Sequence, residues 1–150
     1  MKILYSINLF SILFFVSGLF ASPLDYSRNY EGEGLKRDQY GNEKKYKIEM
    51  IISKFDTASH AEMTYKEGNT TRSILLKFQN KGHGYYDILV PYTITPGIAY
   101  CFDTFCHMVL PGGAQYEESW RLSEDKLEKW GSGAVDRILT SWSEALFFKR

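Results

Sequence analysis

From Tyr46 onward apolar and polar residues alternate with period two. Tyr46, Ile48, Met50 and Ile52 fall on one face of an extended segment, with Lys47, Glu49, Ile51 and Ser53 on the other. The alternation resumes over residues 59–65, where Ala61, Met63 and Tyr65 oppose His60, Glu62 and Thr64. It returns over residues 70–78 with Ile74, Leu76 and Phe78 on one face. Lys66-Glu67-Gly68-Asn69 supplies a turn between these two runs, which makes them the clearest hairpin in the chain. Over residues 85–95, Tyr86, Ile88, Val90, Tyr92 and Ile94 share a face. Pro91 marks an edge or a bend there, because proline cannot donate to a strand ladder. Residues 97–110 contain both cysteines and end at Pro111-Gly112-Gly113. Residues 115–122 place Tyr116, Glu118, Trp120 and Leu122 together, and residues 126–131 turn Leu127 or Trp130 inward. Turn signals recurring about every 8–12 residues are the spacing of an antiparallel sandwich or barrel.

The two ends of the chain read differently. Residues 22–45 carry Gly32, Gly34 and Gly41, three tyrosines and no apolar periodicity, so they are expected to be a flexible N-terminal tail or lead-in loop before a single β-rich domain over residues 46–150. At the C-terminus two periods compete. Ala134, Val135, Ile138, Leu139, Trp142, Ala145 and Leu146 match the apolar face of a helix. Ile138, Thr140, Trp142, Glu144, Leu146 and Phe148 match a strand. The Ile, Thr, Trp and Phe content, with Ser141 and Ser143 where a helix prefers Ala or Glu, favours a strand that could close a barrel.

Composition adds an address. Lys2 precedes an almost continuously apolar run from Ile3 to Phe20, and Ala21 offers a small residue before Ser22. That is the layout of a signal peptide over residues 1–21 and points to a secreted or periplasmic protein. An uncleaved anchor is the alternative. Formal net charge is +0, and loss of the leader removes Lys2 and no acid. Such near-neutrality gives no electrostatic reason to expect nucleic acid or an anionic membrane as partner. The basic pairs around Lys36 and Lys44 are interleaved with Glu31, Glu33, Asp38, Glu43 and Glu49, as on a solvated surface. No stable membrane span is expected once the leader is removed. Asn69-Thr70-Thr71 is a glycosylation sequon in a turn, relevant only in a eukaryotic host.

Cys101 and Cys106 bracket Asp103-Thr104 and fit directly opposite positions of a tight hairpin, where their Cβ atoms come within disulfide reach. Export permits the bond, and the expected role is a local clasp. Two metal-centred readings are weaker. The Cys101…Cys106-His107 string is a stretched form of a haem attachment motif. Zinc ligation with His60 or His83 lacks a second ligand pair. No metal and no cofactor are therefore expected. There is no G-x-S-x-G and no H-E-x-x-H, and Gly131-Ser132-Gly133 is too short for a phosphate loop. Glu117, Glu118 and Glu144 could supply paired carboxylates, though a strand acid more often faces solvent. An enzyme would need His83, Glu118 or His107 to converge in one cleft.

The aromatics are the stronger lead. Tyr86, Tyr92, Tyr100, Tyr116, Trp120 and Trp142 recur at strand positions and are the candidate ligand-binding residues, since inward rings with polar tips line and orient in a barrel pocket. Trp130 recurs in the same way. An exported chain of short antiparallel strands ending in Ser141-Trp142-Ser143-Glu144-Ala145-Leu146-Phe147-Phe148-Lys149 is similar to small lipocalin-like barrels. The similarity is architectural and spans residues 46–150. The G-x-W found near the first strand of lipocalins is absent, so no family residue carries over. The expected fold is mainly β, an antiparallel up-and-down barrel (lipocalin-like) or a β-sandwich, with a C-terminal helix as the variant. The expected function is an exported, non-enzymatic binding protein holding a small apolar ligand. The alternative is an envelope or secreted interaction protein with a packed core, binding a macromolecular partner through loops and the N-terminal tail.

Overall fold

The computed structural model describes residues 22–55, 58–91, 93–110, 116–135 and 137–149, with only the backbone of Val135. Residues 1–21, the segment expected to be a signal peptide, lie outside the described residues. The strands are β1 (Arg28–Asp38), β2 (Glu43–Phe55), β3 (Ala58–Glu67), β4 (Thr70–Gly82), β5 (Tyr85–Leu89), β6 (Gly97–Phe102), β7 (Phe105–Leu110), β8 (Tyr116–Leu122), β9 (Lys126–Val135) and β10 (Ile138–Phe148). Each pairs antiparallel with its neighbours in sequence, and β1 pairs with β10, so the sheet closes on itself. The barrel, rather than the sandwich, is what forms. The C-terminus is strand, as its β-branched and aromatic content favours, and it supplies one side of the closing seam.

Residues 22–45 are not a tail. Most of them form β1 and the start of β2, and β1 is paired on both edges from Tyr30 to Arg37. Periodicity concealed this strand because two of its inward positions are glycines. Cross-strand ladders on both sides, rather than side-chain hydrophobicity, hold it in place. β5 also differs from expectation. It stops at Leu89, before Pro91, and Ile94 stands fully in solvent. Tyr92 lies outside the described residues.

Alternation along every strand sorts side chains into an interior and an exterior. Inside, Ile48, Met50 and Ile52 of β2 meet Ala61 and Met63 of β3, Leu76 and Phe78 of β4, Ile88, Met108, Trp120, Leu127 and Leu146 in one buried cluster. This cluster fills the end of the barrel where β1 begins. The lead-in residues Ser22, Pro23 and Leu24 are buried against that end. There the Ser59 hydroxyl donates to the Leu24 carbonyl (2.9 Å), and the Ser22 amide donates to Asp25 (2.7 Å). The Cys101–Cys106 disulfide forms between directly paired residues of β6 and β7 at the same end, with Ser22 Oγ 3.8 Å from Cys106 Sγ. Asp103 takes a left-handed conformation (φ 57°) in the tight turn that this pairing requires. Among the described residues no helix is long and apolar enough to cross a membrane.

Candidate ligand-binding site

The opposite end of the barrel, ringed by the β1–β2, β3–β4 and β9–β10 turns, is open. A cavity of about 360 Å³ enters it, lined by Tyr46, Tyr65, Ile74, Tyr116, Trp142 and Glu144 in its depth, with Lys36, Glu67, Thr70, Arg72 and Thr140 completing the lining. The walls come as two aromatic pairs. Tyr46 and Tyr65, on adjacent strands, have ring centroids 5.7 Å apart, and Tyr116 and Trp142 have theirs 5.0 Å apart.

Two glycines set these walls. Gly34 pairs with Tyr46 across β1 and β2, and a Cβ on Gly34 would run into the Tyr46 ring. Gly131 pairs with Trp142 across β9 and β10, and a Cβ there would meet Trp142 Cζ2 at 2.8 Å and the Glu117 carbonyl more closely still. The missing side chains let each ring lie over a neighbouring backbone.

Under the walls sits a charged floor. Glu118, Lys129 and Glu144 project inward from β8, β9 and β10, at most 5% exposed. Lys129 Nζ lies 2.6 Å from Glu144 Oε2 and 3.4 Å from Glu118 Oε1. Burying an ion costs several kcal/mol, and each hydrogen bond to a charged group returns roughly 1.5–3 kcal/mol, so satisfaction decides whether such a cluster survives. Glu118 is crowded with donors: the Trp120 indole N–H on Oε1, and the Trp142 indole N–H (2.8 Å) and Tyr116 hydroxyl (3.1 Å) on Oε2. Glu144 accepts from the Tyr46 hydroxyl (2.6 Å) on Oε1 and from Lys129 on Oε2. Burial raises the Glu144 carboxyl above its ordinary range. Lys129 pulls the other way, and the Glu118 carboxylate adds to the rise. For Lys129, burial disfavours the ammonium, but the two carboxylates outweigh it and leave the group raised. Desolvation, with the nearby carboxylates, also holds the Tyr46, Tyr65 and Tyr116 hydroxyls protonated.

At the mouth, Glu67 is held by both Lys36 and Lys44. Arg72 has no carboxylate at ion-pair distance among the described residues.

No known protein family and no curated protein matches this sequence. Solved structures match the barrel. An S-type phycobiliprotein lyase from Guillardia theta superposes with a TM-score of 0.69 at 8% identity, over 83% of this chain and 88% of that one. Rv2717c from M. tuberculosis gives 0.62 at 13% identity, over 83% and 92%. A protein of unknown function from the DUF3598 family of Nostoc punctiforme gives 0.61 at 10% identity, over 83% of this chain and 48% of that one. The fold is a lipocalin-like barrel. At these identities the likeness concerns fold alone.

Within the lipocalin-like barrel the sequence-derived candidates separate. Tyr116 and Trp142 line the cavity. Trp120 is fully buried beneath it, edge-on to Phe78 with centroids 5.7 Å apart, and Tyr86 packs edge-on to the same Phe78. Both belong to the filled core. Tyr100 is on the outer surface against Tyr85, 4.8 Å between centroids. Cys101 and Cys106 close the end away from the cavity, and their bonded sulfurs do not ligate metal. Glu118, expected to face solvent, faces inward, and its partner in the interior is Glu144 rather than the exposed Glu117. His83 is exposed in the β4–β5 turn at the closed end, His60 stacks on Phe55 outside, and His107 meets Ser119 on the outer face (2.9 Å). They do not converge with Glu118. Trp130 sits outside against Phe105.

Sequence reasoning missed Tyr46, Tyr65, Lys129 and the two glycines as parts of this site. A signal for Lys129 existed: it shares strand phase with Leu127, Gly131 and Gly133, all on an inward-facing row.

Proposed function

We propose that the chain is an exported, non-enzymatic binding protein that holds a small, largely apolar ligand in the open end of the barrel. The observation that carries this reading is the cavity. Its volume falls within the ~300–1,000 Å³ of small-molecule sites, and its lining has the usual makeup of aromatic walls with a few placed polar groups. One structural neighbour is by name a lyase, so the barrel does not by itself separate carrier from enzyme. The non-enzymatic reading is supported by where the histidines lie, outside the barrel or at its closed end. Export is supported by the apolar leader. Cleavage after Ala21 would leave Ser22 and Leu24 in place as the plug of the closed end. Intact mass of protein secreted from a heterologous host tests the export part, with Ser22 expected as the first residue and a retained leader counting against it.

Titration with 1-aminoanthracene, a neutral fluorescent probe, tests the binding part. Saturable one-to-one enhancement is expected, and Ile74→Trp, which fills the cavity, should abolish it. Absence of saturable binding, or binding indifferent to I74W, sinks the reading. The macromolecular alternative loses its recognition arm, because the supposed tail is β1.

A further inference from the structure

We infer that the ligand carries a cationic nitrogen, a protonated amine or quaternary ammonium on an apolar body, and that this group docks against Glu144 between the Tyr46–Tyr65 and Tyr116–Trp142 walls. The inference rests on the binding reading above and names the ligand class for the same cavity.

Three observations lead there. First, the floor holds two carboxylates and one ammonium, Glu118, Glu144 and Lys129, so it carries one uncompensated negative charge when all are ionised. Second, hydrogen-bond capacity distinguishes the two acids. An ionised carboxylate accepts about four bonds. Glu118 already takes three from Trp120, Trp142 and Tyr116, with Lys129 beside it. Glu144 takes one bond on each oxygen and lines the cavity, so its spare acceptor capacity is where a ligand can reach it. Third, four aromatic rings surround that position. A ring face attracts a cation within about 6 Å, more strongly when desolvated, and aromatic cages recognise quaternary ammonium groups in this way. The cluster already uses the interaction internally: Lys129 Nζ is 5.8 Å from the Tyr65 centroid and 5.6 Å from that of Trp120.

The mouth has the opposite sign, with Lys36, Lys44 and Arg72 against Glu67. An anionic ligand would therefore be attracted to the rim but would meet an excess carboxylate at depth. A cation reverses that preference and reaches the aromatic slot.

Three probes of one shape and different charge decide the matter: 2-phenylethylamine, 2-phenylethanol and 3-phenylpropionate, each titrated into the full disulfide-bonded protein by calorimetry. The amine should bind about tenfold or more tighter than the alcohol, the gain of one charge-assisted hydrogen bond, and the acid weakest. Glu144→Gln should erase the amine's advantage over the alcohol. Should that variant fail to fold, the comparison on the unaltered protein still decides. Alcohol or acid binding as tightly as the amine overturns the inference, as does an amine affinity indifferent to E144Q. If 1-aminoanthracene binds in the cavity while the amine does not displace it, the cationic ligand falls and the binding reading stands. If neither binds, both fall.

Discussion

At the scale of single residues, Glu144 is the group whose state the barrel interior controls, and its titration should be visible in stability. Tyr46 of β2, Tyr65 of β3, Glu118 of β8 and Lys129 of β9 all face it, and Tyr116 of β8 lines the same cavity. Its native value is raised above 4.5, so in a window above that pH the native state still holds a proton that the unfolded chain has released. Stability must then fall as pH rises through this window, since the state binding more protons is favoured at low pH. The surface acids Glu49, Glu67 and Glu128 have lowered values, each through a lysine partner. Their contributions become complete only about a unit above the same 4.5, and they are common to the wild type and the variant. In urea unfolding from that pH toward neutrality, the stability of the wild type relative to Glu144→Gln should decline. Identical slopes would remove Glu144 as the cause. This residue was half legible in the sequence. Glu118 and Glu144 share phase with Trp120 and Leu146, which are plainly inward, but strand acids ordinarily face water. Only the convergence of three strands on Lys129, a tertiary fact, makes their burial tolerable.

Among the elements, β6–β7 was the most readable and β1 the least. The cysteine hairpin is set by local rules: opposed cysteines, an Asp-Thr turn and alternating burial, Gly97, Ala99 and Cys101 in and Ile98, Tyr100 and Phe102 out. β1 follows no such rule. Its inward row runs Tyr30, Gly32, Gly34 and Lys36, and the apolar surface that belongs at Gly34 is supplied by Tyr46 from the next strand. A pattern search on one strand cannot see a ring borrowed from another. The hairpin also shows what the disulfide does. Closing so short a loop is worth about 2 kcal/mol by chain entropy, and the bond lies at the plugged end, away from the cavity. The double variant Cys101→Ser/Cys106→Ser should therefore lose roughly that much in chemical denaturation while keeping its affinity for 1-aminoanthracene unchanged. A large loss of probe binding with the fold intact would mean that the two ends are coupled.

For the whole molecule, closure is the organising fact. An open ten-stranded sheet would expose two edges, each a template for aggregation, and the β1–β10 seam removes both. That seam runs from Tyr30–Phe148 to Asp38–Thr140, and just beyond it the Lys149 amide donates to the Asn29 carbonyl at 2.8 Å. The two ends of the barrel chain thus meet at the plugged end, so continuity of the backbone through any one turn matters less than the presence of every strand. Two rearrangements of similar severity in sequence should consequently have opposite outcomes. A circular permutant that joins the ends by a flexible linker and opens the chain in the exposed β3–β4 turn at Gly68-Asn69 keeps every strand pair. It should retain a β-type circular dichroism spectrum and the elution volume of the unpermuted protein. Its probe binding should weaken only modestly, since Glu67 and Thr70 flank the cut. Deleting residues 28–38 removes one strand, bares the edges of β2 and β10, and strips Lys36 from the cavity and Gly34 from against the Tyr46 ring; that protein should aggregate. Soluble, probe-binding protein from the deletion would show that β1 is an accessory and that the other nine strands close without it.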